Sequence, residues 1–170
     1  DSPQSIIKTS QELYVVNCTF KNIQGNSLEG AAITTSNSSV VIKNALFQDC
    51  SNQKESLVKV MLSKQLTLEN TQVKNFTGKF AGAVEVDKVD SVSIKNFTCL
   101  NCNSTEGNGG AIAYRTSEES PKLEITNSEF TNCGVETGKG GGIYITSHSG
   151  SIAIEVKLSN LTFSNVLGAA

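Results

Sequence analysis

Side chains able to do acid, base or ligand chemistry are sparse in this chain. Its four Asp stand at positions 1, 49, 87 and 90, with a single Arg (Arg115) and a single His (His148). Lyases and glycosidases acting on acidic polysaccharides need clustered carboxylates, for calcium or for acid and base roles, with a cation nearby. Asp87 and Asp90, in Val86-Asp-Lys-Val-Asp90, are the near pair of Asp and read as a solvated turn between two strands. His148, in Ser147-His-Ser-Gly150, reads as an exposed loop residue. The expectation is a chain that is not an enzyme, with no catalytic residue, cofactor or metal.

Amides are abundant instead, and their spacing organises the chain. An Asn recurs at Asn17, Asn44, Asn70, Asn96, Asn127 and Asn160, and five residues after each comes Asn22, Asp49, Asn75, Asn101, Asn132 and Asn165. Self-similarity at a fixed period signals a repeat architecture. Two and four residues before each first Asn lie apolar side chains, such as Ile94 and Val92 before Asn96, the period-two alternation of a strand. Three and six residues after it come Phe20, Phe47, Val73, Cys99, Phe130 and Phe163, then Ile23, Cys50, Phe76, Cys102, Cys133 and Val166.

A glycine-rich block completes most units: Gly30-Ala-Ala-Ile33, Ala81-Gly-Ala-Val84, Gly109-Gly-Ala-Ile112 and Gly140-Gly-Gly-Ile143. The second unit, Ser56-Leu-Val58, has lost its glycines. Three short strands per unit of 26 to 33 residues, without helical periodicity or two-residue hairpin turns, predict an all-β right-handed parallel β-helix of about six coils. With coils about 4.8 Å apart, each Asn amide can donate to one neighbour and accept from the other, satisfying the polar groups of a buried turn. Phe, Ile and Leu in register stack into interior ridges, a thin core compatible with a hydrophobic fraction of 38%. Glycine supplies the turn before the third strand and lets coils approach closely.

The words Gly-Gly-Ala-Ile (Gly109 to Ile112), Gly-Gly-Gly-Ile-Tyr (Gly140 to Tyr144) and Phe-Thr-Asn (Phe130 to Asn132) resemble the polymorphic-outer-membrane-protein type of repeat. That repeat occurs in surface adhesins of bacteria and surface-protein families of some protists, and belongs to the pectate-lyase-like right-handed β-helix superfamily. The chain departs from the bacterial pattern in having Phe-x-Asn where Phe-x-x-Asn is usual. The resemblance implies an extracellular or cell-surface location and a structural or adhesive role, with carbohydrate binding or a degenerate polysaccharide lyase or hydrolase as the alternative.

An odd count of five Cys leaves at least one thiol unpaired or bonded outside the segment. Cys102 and Cys133 occupy one position on consecutive coils, within disulfide reach, so a bridge and a pair of buried apolar thiols are both open. Cys99 and Cys102 form a lone Cys-x-x-Cys, a weak metal or redox signal without a second pair or a nearby His. Of the Asn-x-Ser/Thr sequons, Asn17, Asn75, Asn96 and Asn160 lie in the Asn columns, where a stacked amide cannot also carry a glycan. Asn37 and Asn103 fall in expected loops and are the glycosylation candidates.

A net charge of −2 and scattered Lys and Glu leave no footprint for nucleic acid, and no apolar run reaches the length of a membrane span. The opening Asp1-Ser-Pro and the closing Gly168-Ala-Ala170, which repeats Gly30-Ala-Ala32, suggest that residues 1–170 are one segment of a longer solenoid. Expected partners are adjoining coils or other copies stacked end to end, with glycans or host and surface proteins at the two longest connections, Arg115 to Lys122 and Thr146 to Ser151.

Overall fold

The computed structural model describes residues 5–26, 28–80, 82–116, 121–148 and 153–168. The chain winds through six rungs. The first carries β1 (Ile7–Thr9), β2 (Leu13–Val16), β3 (Thr19–Lys21) and β4 (Gln24–Gly25), and the second β5 (Ile33–Ser36), β6 (Ser39–Lys43) and β7 (Leu46–Asn52). The third carries β8 (Val58–Glu69) and β9 (Gln72–Gly78), and the fourth β10 (Val84–Lys95) and β11 (Thr98–Ser104). The fifth has β12 (Ile112–Thr116), β13 (Lys122–Thr131) and β14 (Gly134–Val135), and the sixth β15 (Ile143–Ser147) and β16 (Glu155–Ser164). Every strand pairing is parallel and joins one rung to the next.

Register follows the repeat. Ile7, Ile33, Val58, Val84, Ile112 and Ile143 stand one above another on the first face. From Ile7 to Ile143 the path closes five turns, against the six coils counted from the Asn, because six marked units bound only five complete intervals. The second face stacks Val15, Ile42, Leu68, Ile94, Ile125 and Leu158. The third stacks Phe20, Phe47, Val73, Cys99, Phe130 and Phe163.

These columns are the core, a single cluster running along the solenoid axis. Phenylalanines stacked within one column lie nearly parallel: Phe20 and Phe47 have centroids 4.7 Å apart at 9°, and Phe130 and Phe163 5.1 Å apart at 14°. In such a stack an apolar side chain is covered mainly by its own column mates, so burial depends on having a rung on both sides.

Three strands per rung was too fine a division for the middle rungs. β8 and β10 each run unbroken for 12 residues around a corner, because one residue with positive φ bends the strand without ending its ladder. Among the described residues no helix is long and apolar enough to cross a membrane.

Candidate functional site

The twelve column residues all sit at corners. Each of Asn17, Asn44, Asn70, Asn96, Asn127 and Asn160, and each of Asn22, Asp49, Asn75, Asn101, Asn132 and Asn165, has φ between 50° and 56°. Asn and Asp tolerate this left-handed region better than other residues bearing a Cβ. Their backbone N–H groups continue the ladder through the corner, as when Asn70 N donates to Lys95 O at 3.0 Å and Asn96 N to Thr126 O at 3.1 Å.

The side-chain amides form a second ladder outside the backbone. In the first column Asn44 donates to Asn17 (3.0 Å), Asn70 to Asn44 (3.1 Å), Asn96 to Asn70 (2.8 Å) and Asn160 to Asn127 (3.0 Å). In the second, Asn75 donates to Asp49 (2.7 Å), Asn101 to Asn75 (2.8 Å), Asn132 to Asn101 (2.9 Å) and Asn165 to Asn132 (3.1 Å). Both columns are exposed, which corrects the expectation of a buried turn. The apolar alternation points inward on either side of the corner, so the corner residue itself projects outward.

A third corner carries no sequence signature. Asn37, Leu62 and Lys88 follow the paired Ser36, Met61 and Asp87, with φ of 57°, 51° and 56°. One rung on, the residue in that position is Thr116, which ends β12 without positive φ, and the longer connection begins beyond it. Residues 117–120 and 149–152 lie outside the described set, and with them half of each of the two connections proposed as contact surfaces.

The sequence reading missed a buried charge cluster. Lys59 and Glu85 are cross-strand partners on the outward side of the first face, and Lys59 Nζ lies 3.1 Å from Glu55 Oε1 and 3.4 Å from Glu85 Oε2. Arg115 bonds Glu85 Oε1, and Ser56 Oγ donates to Glu85 Oε2 at 3.4 Å. Glu55 and Glu85 are only 8% and 2% exposed. Burial, then the Glu85 charge, pushes the Glu55 carboxyl up to about 7. Counting back from Val58 and Ile112 aligns Glu55 with Gly109, so the unit that lost its glycines gained this side chain. The available signal was Lys59 in register with Glu85, each flanked by valines. Asp87 belongs to β10 rather than to a separate turn, and its Oδ1 is 2.7 Å from His148 Nε2, so two residues read as unconnected join the fourth rung to the sixth.

All five cysteines are free thiols, so Cys102 and Cys133 are not bridged. Their parallel, in-register placement brings them close, and Cys99 joins them: the three sulfurs lie within 4.8 Å of one another and all three residues are buried. Asn37 is exposed at its corner, whereas Asn103 is exposed within β11 rather than in a loop.

The last rung presents the most distinctive surface. Val156, Leu158 and Phe163 are 41%, 46% and 49% exposed, while Leu123, Ile125 and Phe130 directly beneath them are 1%, 0% and 0% exposed. The ladders end there with complementary groups. Asn160 and Asn165 spend Nδ2 on the rung below and leave Oδ1 facing outward, and at the opposite end Asn17 accepts through Oδ1 and leaves Nδ2 outward, among the described residues.

The profile of the family described as right handed beta helix region matches residues 5–166. No curated protein and no solved structure matches the chain. Parallel rungs, three stacked faces and corner Asn columns accord with that match over nearly the whole sequence, and the chain belongs to the right-handed β-helix family.

Proposed function

We propose that this chain is a structural, stacking β-solenoid of an extracellular or cell-surface protein, whose end rung receives a further rung in register from a second copy placed head to tail. The observation carrying this reading is the exposed apolar row Val156, Leu158 and Phe163, whose equivalents are buried wherever a rung lies on both sides. Outward Oδ1 groups at one end and an outward Nδ2 at the other make the two ends complementary rather than self-matching, the condition for open, head-to-tail association. The polymorphic-outer-membrane-type repeat wording supports surface display and adhesive use. Asn37 and Asn103 are the glycan sites on this reading.

The carboxylates argue for a structural rather than a catalytic role. Glu55 and Glu85 are covered and engaged by Lys59 and Arg115, out of reach of a polymer substrate. The open groove of about 610 Å³ over the first face is lined by Lys8, Glu29, Thr34, Ser36 and Met61 among others, with no aromatic platform for a sugar ring. Sedimentation velocity over a concentration series tests the proposal. Association that grows with concentration and is lost in the Leu158→Asp, Phe163→Asp double variant is the expected result. A wild-type protein that stays monomeric at the highest concentration overturns it.

A further inference from the structure

Cys99, Cys102 and Cys133 meet in the interior because of the register. Cys102 stands above Phe76, Cys133 above Cys102, and Cys99 between Val73 and Phe130 in the neighbouring column. Each is at most 1% exposed, yet their sulfurs lie within 4.8 Å of one another. Their contacts to backbone oxygens are long: Cys133 Sγ to Cys99 O is 3.5 Å, Cys102 Sγ to Leu100 O is 3.7 Å and to Val73 O 3.9 Å. No strong hydrogen bond therefore competes for these thiols.

A metal ion bound to three sulfurs at about 2.3 Å in a plane needs them about 4.0 Å apart, so only a small contraction separates this cluster from that geometry. The donor set is all sulfur, which selects soft cations. Among the described residues no fourth His, Cys, Asp or Glu donor belongs to the group, and the surrounding core is apolar, which disfavours a zinc ion that seeks four ligands. Among the soft ions that thiolates select, copper(I) carries a single charge, the least that an apolar interior has to accommodate.

We propose that Cys99, Cys102 and Cys133 form an interior three-sulfur site for a soft monovalent cation, copper(I) being the representative. A thiol that ligates as thiolate releases its proton to solvent, and the ion enters during folding or by local opening of the outer rungs. The site is independent of the stacking reading, since it lies inside the solenoid.

The test uses the 170-residue chain refolded without oxygen in a phosphine reductant and loaded with copper(I) in acetonitrile-containing buffer, with a parallel zinc(II) arm. Both samples are dialysed against a chelator, bathocuproine disulfonate for copper and EDTA for zinc, and metal is read by plasma mass spectrometry. Expected are one retained copper per chain, no retained zinc, and a copper-edge X-ray absorption shell of three sulfurs. Cys18→Ser, Cys50→Ser should retain copper, and each of Cys99→Ala, Cys102→Ala and Cys133→Ala should retain roughly ten-fold less. If those alanine variants do not fold by circular dichroism, the wild-type absorption shell and the Cys18, Cys50 variant decide alone. No retained copper in folded wild type, a shell of fewer than three sulfurs, or zinc retained as well as copper overturns the proposal. So does isolation of the protein, without reductant, as a Cys102–Cys133 disulfide lighter by two hydrogens.

Discussion

At a corner, one Asn does two separable jobs. Its backbone occupies the left-handed region, and its amide joins a ladder. Asn96→Ala forfeits both, about 1 kcal/mol for the hydrogen bonds and about 1 kcal/mol for a Cβ without the Asn preference. Asn96→Gly forfeits only the ladder, so urea midpoints should fall in the order wild type, Gly, Ala, and Asn37→Ala should cost only the backbone part. Leu62 has the angle without the benefit: it is exposed, with φ of 51°. Leu62→Gly should raise the urea midpoint by an amount equivalent to roughly 1 kcal/mol. Expression through a eukaryotic secretory route gives an independent check, with intact-glycopeptide mass spectrometry expected to find glycan on Asn37 and Asn103 and none on Asn75 and Asn96, whose amide nitrogens are engaged. The two Asn columns were legible in the sequence because the residue type reports both jobs. The third corner was not, because at Leu62 and Lys88 the backbone bends with no help from the side chain. The exposure of the columns also escaped, since period-two alternation says nothing about the residue at which it breaks.

Between rungs, strand stacking sets how much volume each position allows. A Cβ on Gly110 would lie 2.0 Å from Gly141 O, a backbone atom flanked by the bonded carbonyls of Gly140 and Gly142. Gly110→Ala should therefore cost roughly 3 kcal/mol or more and appear as a large drop in melting temperature. Gly109, with φ of 75°, needs glycine for its angle instead. The glycine block was read correctly as turn and close approach, but its loss in the second unit gave no hint of what replaces it. Glu55 enters there, beside Lys59 of the third rung and Glu85 of the fourth, which register brings together. Its raised pKa of about 7 means that the folded state holds a proton the unfolded chain releases near 4.5. Stability should then decline as pH rises from about 4.5 to 7 and level off above, by up to about 3 kcal/mol. Glu55→Gln should flatten that part of the profile in denaturant titrations at pH 5 and pH 8, leaving Glu85 paired with Lys59 and Arg115. An unchanged profile would show that Glu55 ionises freely in the folded protein.

For the molecule as a whole, the fold could be read from the repeat because each unit contacts mainly the units beside it, so local register fixes global shape. The thiol cluster could be half read: Cys133 above Cys102 follows from spacing, whereas Cys99 enters from the adjacent column, across an interior whose width no spacing encodes. Head-to-tail stacking has a consequence that a symmetric dimer lacks. A Leu158→Asp chain keeps its first rung intact while spoiling its last, so it should add to a wild-type end and block further addition. Small amounts mixed into wild type should shorten the assemblies seen by sedimentation, in proportion to the fraction added. An effect no greater than dilution would argue against open association.

The side-chain hydrogen bonds described along the two columns all point one way, each amide nitrogen toward the earlier rung and each oxygen toward the later one. Group dipoles aligned in that manner add instead of cancelling, as peptide dipoles do along a helix. The two columns thereby give the solenoid a side-chain dipole along its axis, positive toward the first rung and negative toward the sixth. Asp49, the one carboxylate in either column, sits in the second rung, near the positive pole that favours it, and accepts from Asn75 and Gln48. Copies joined in series would sum these moments along the axis, so the assembled rod would orient in an applied electric field far more strongly than a single copy does.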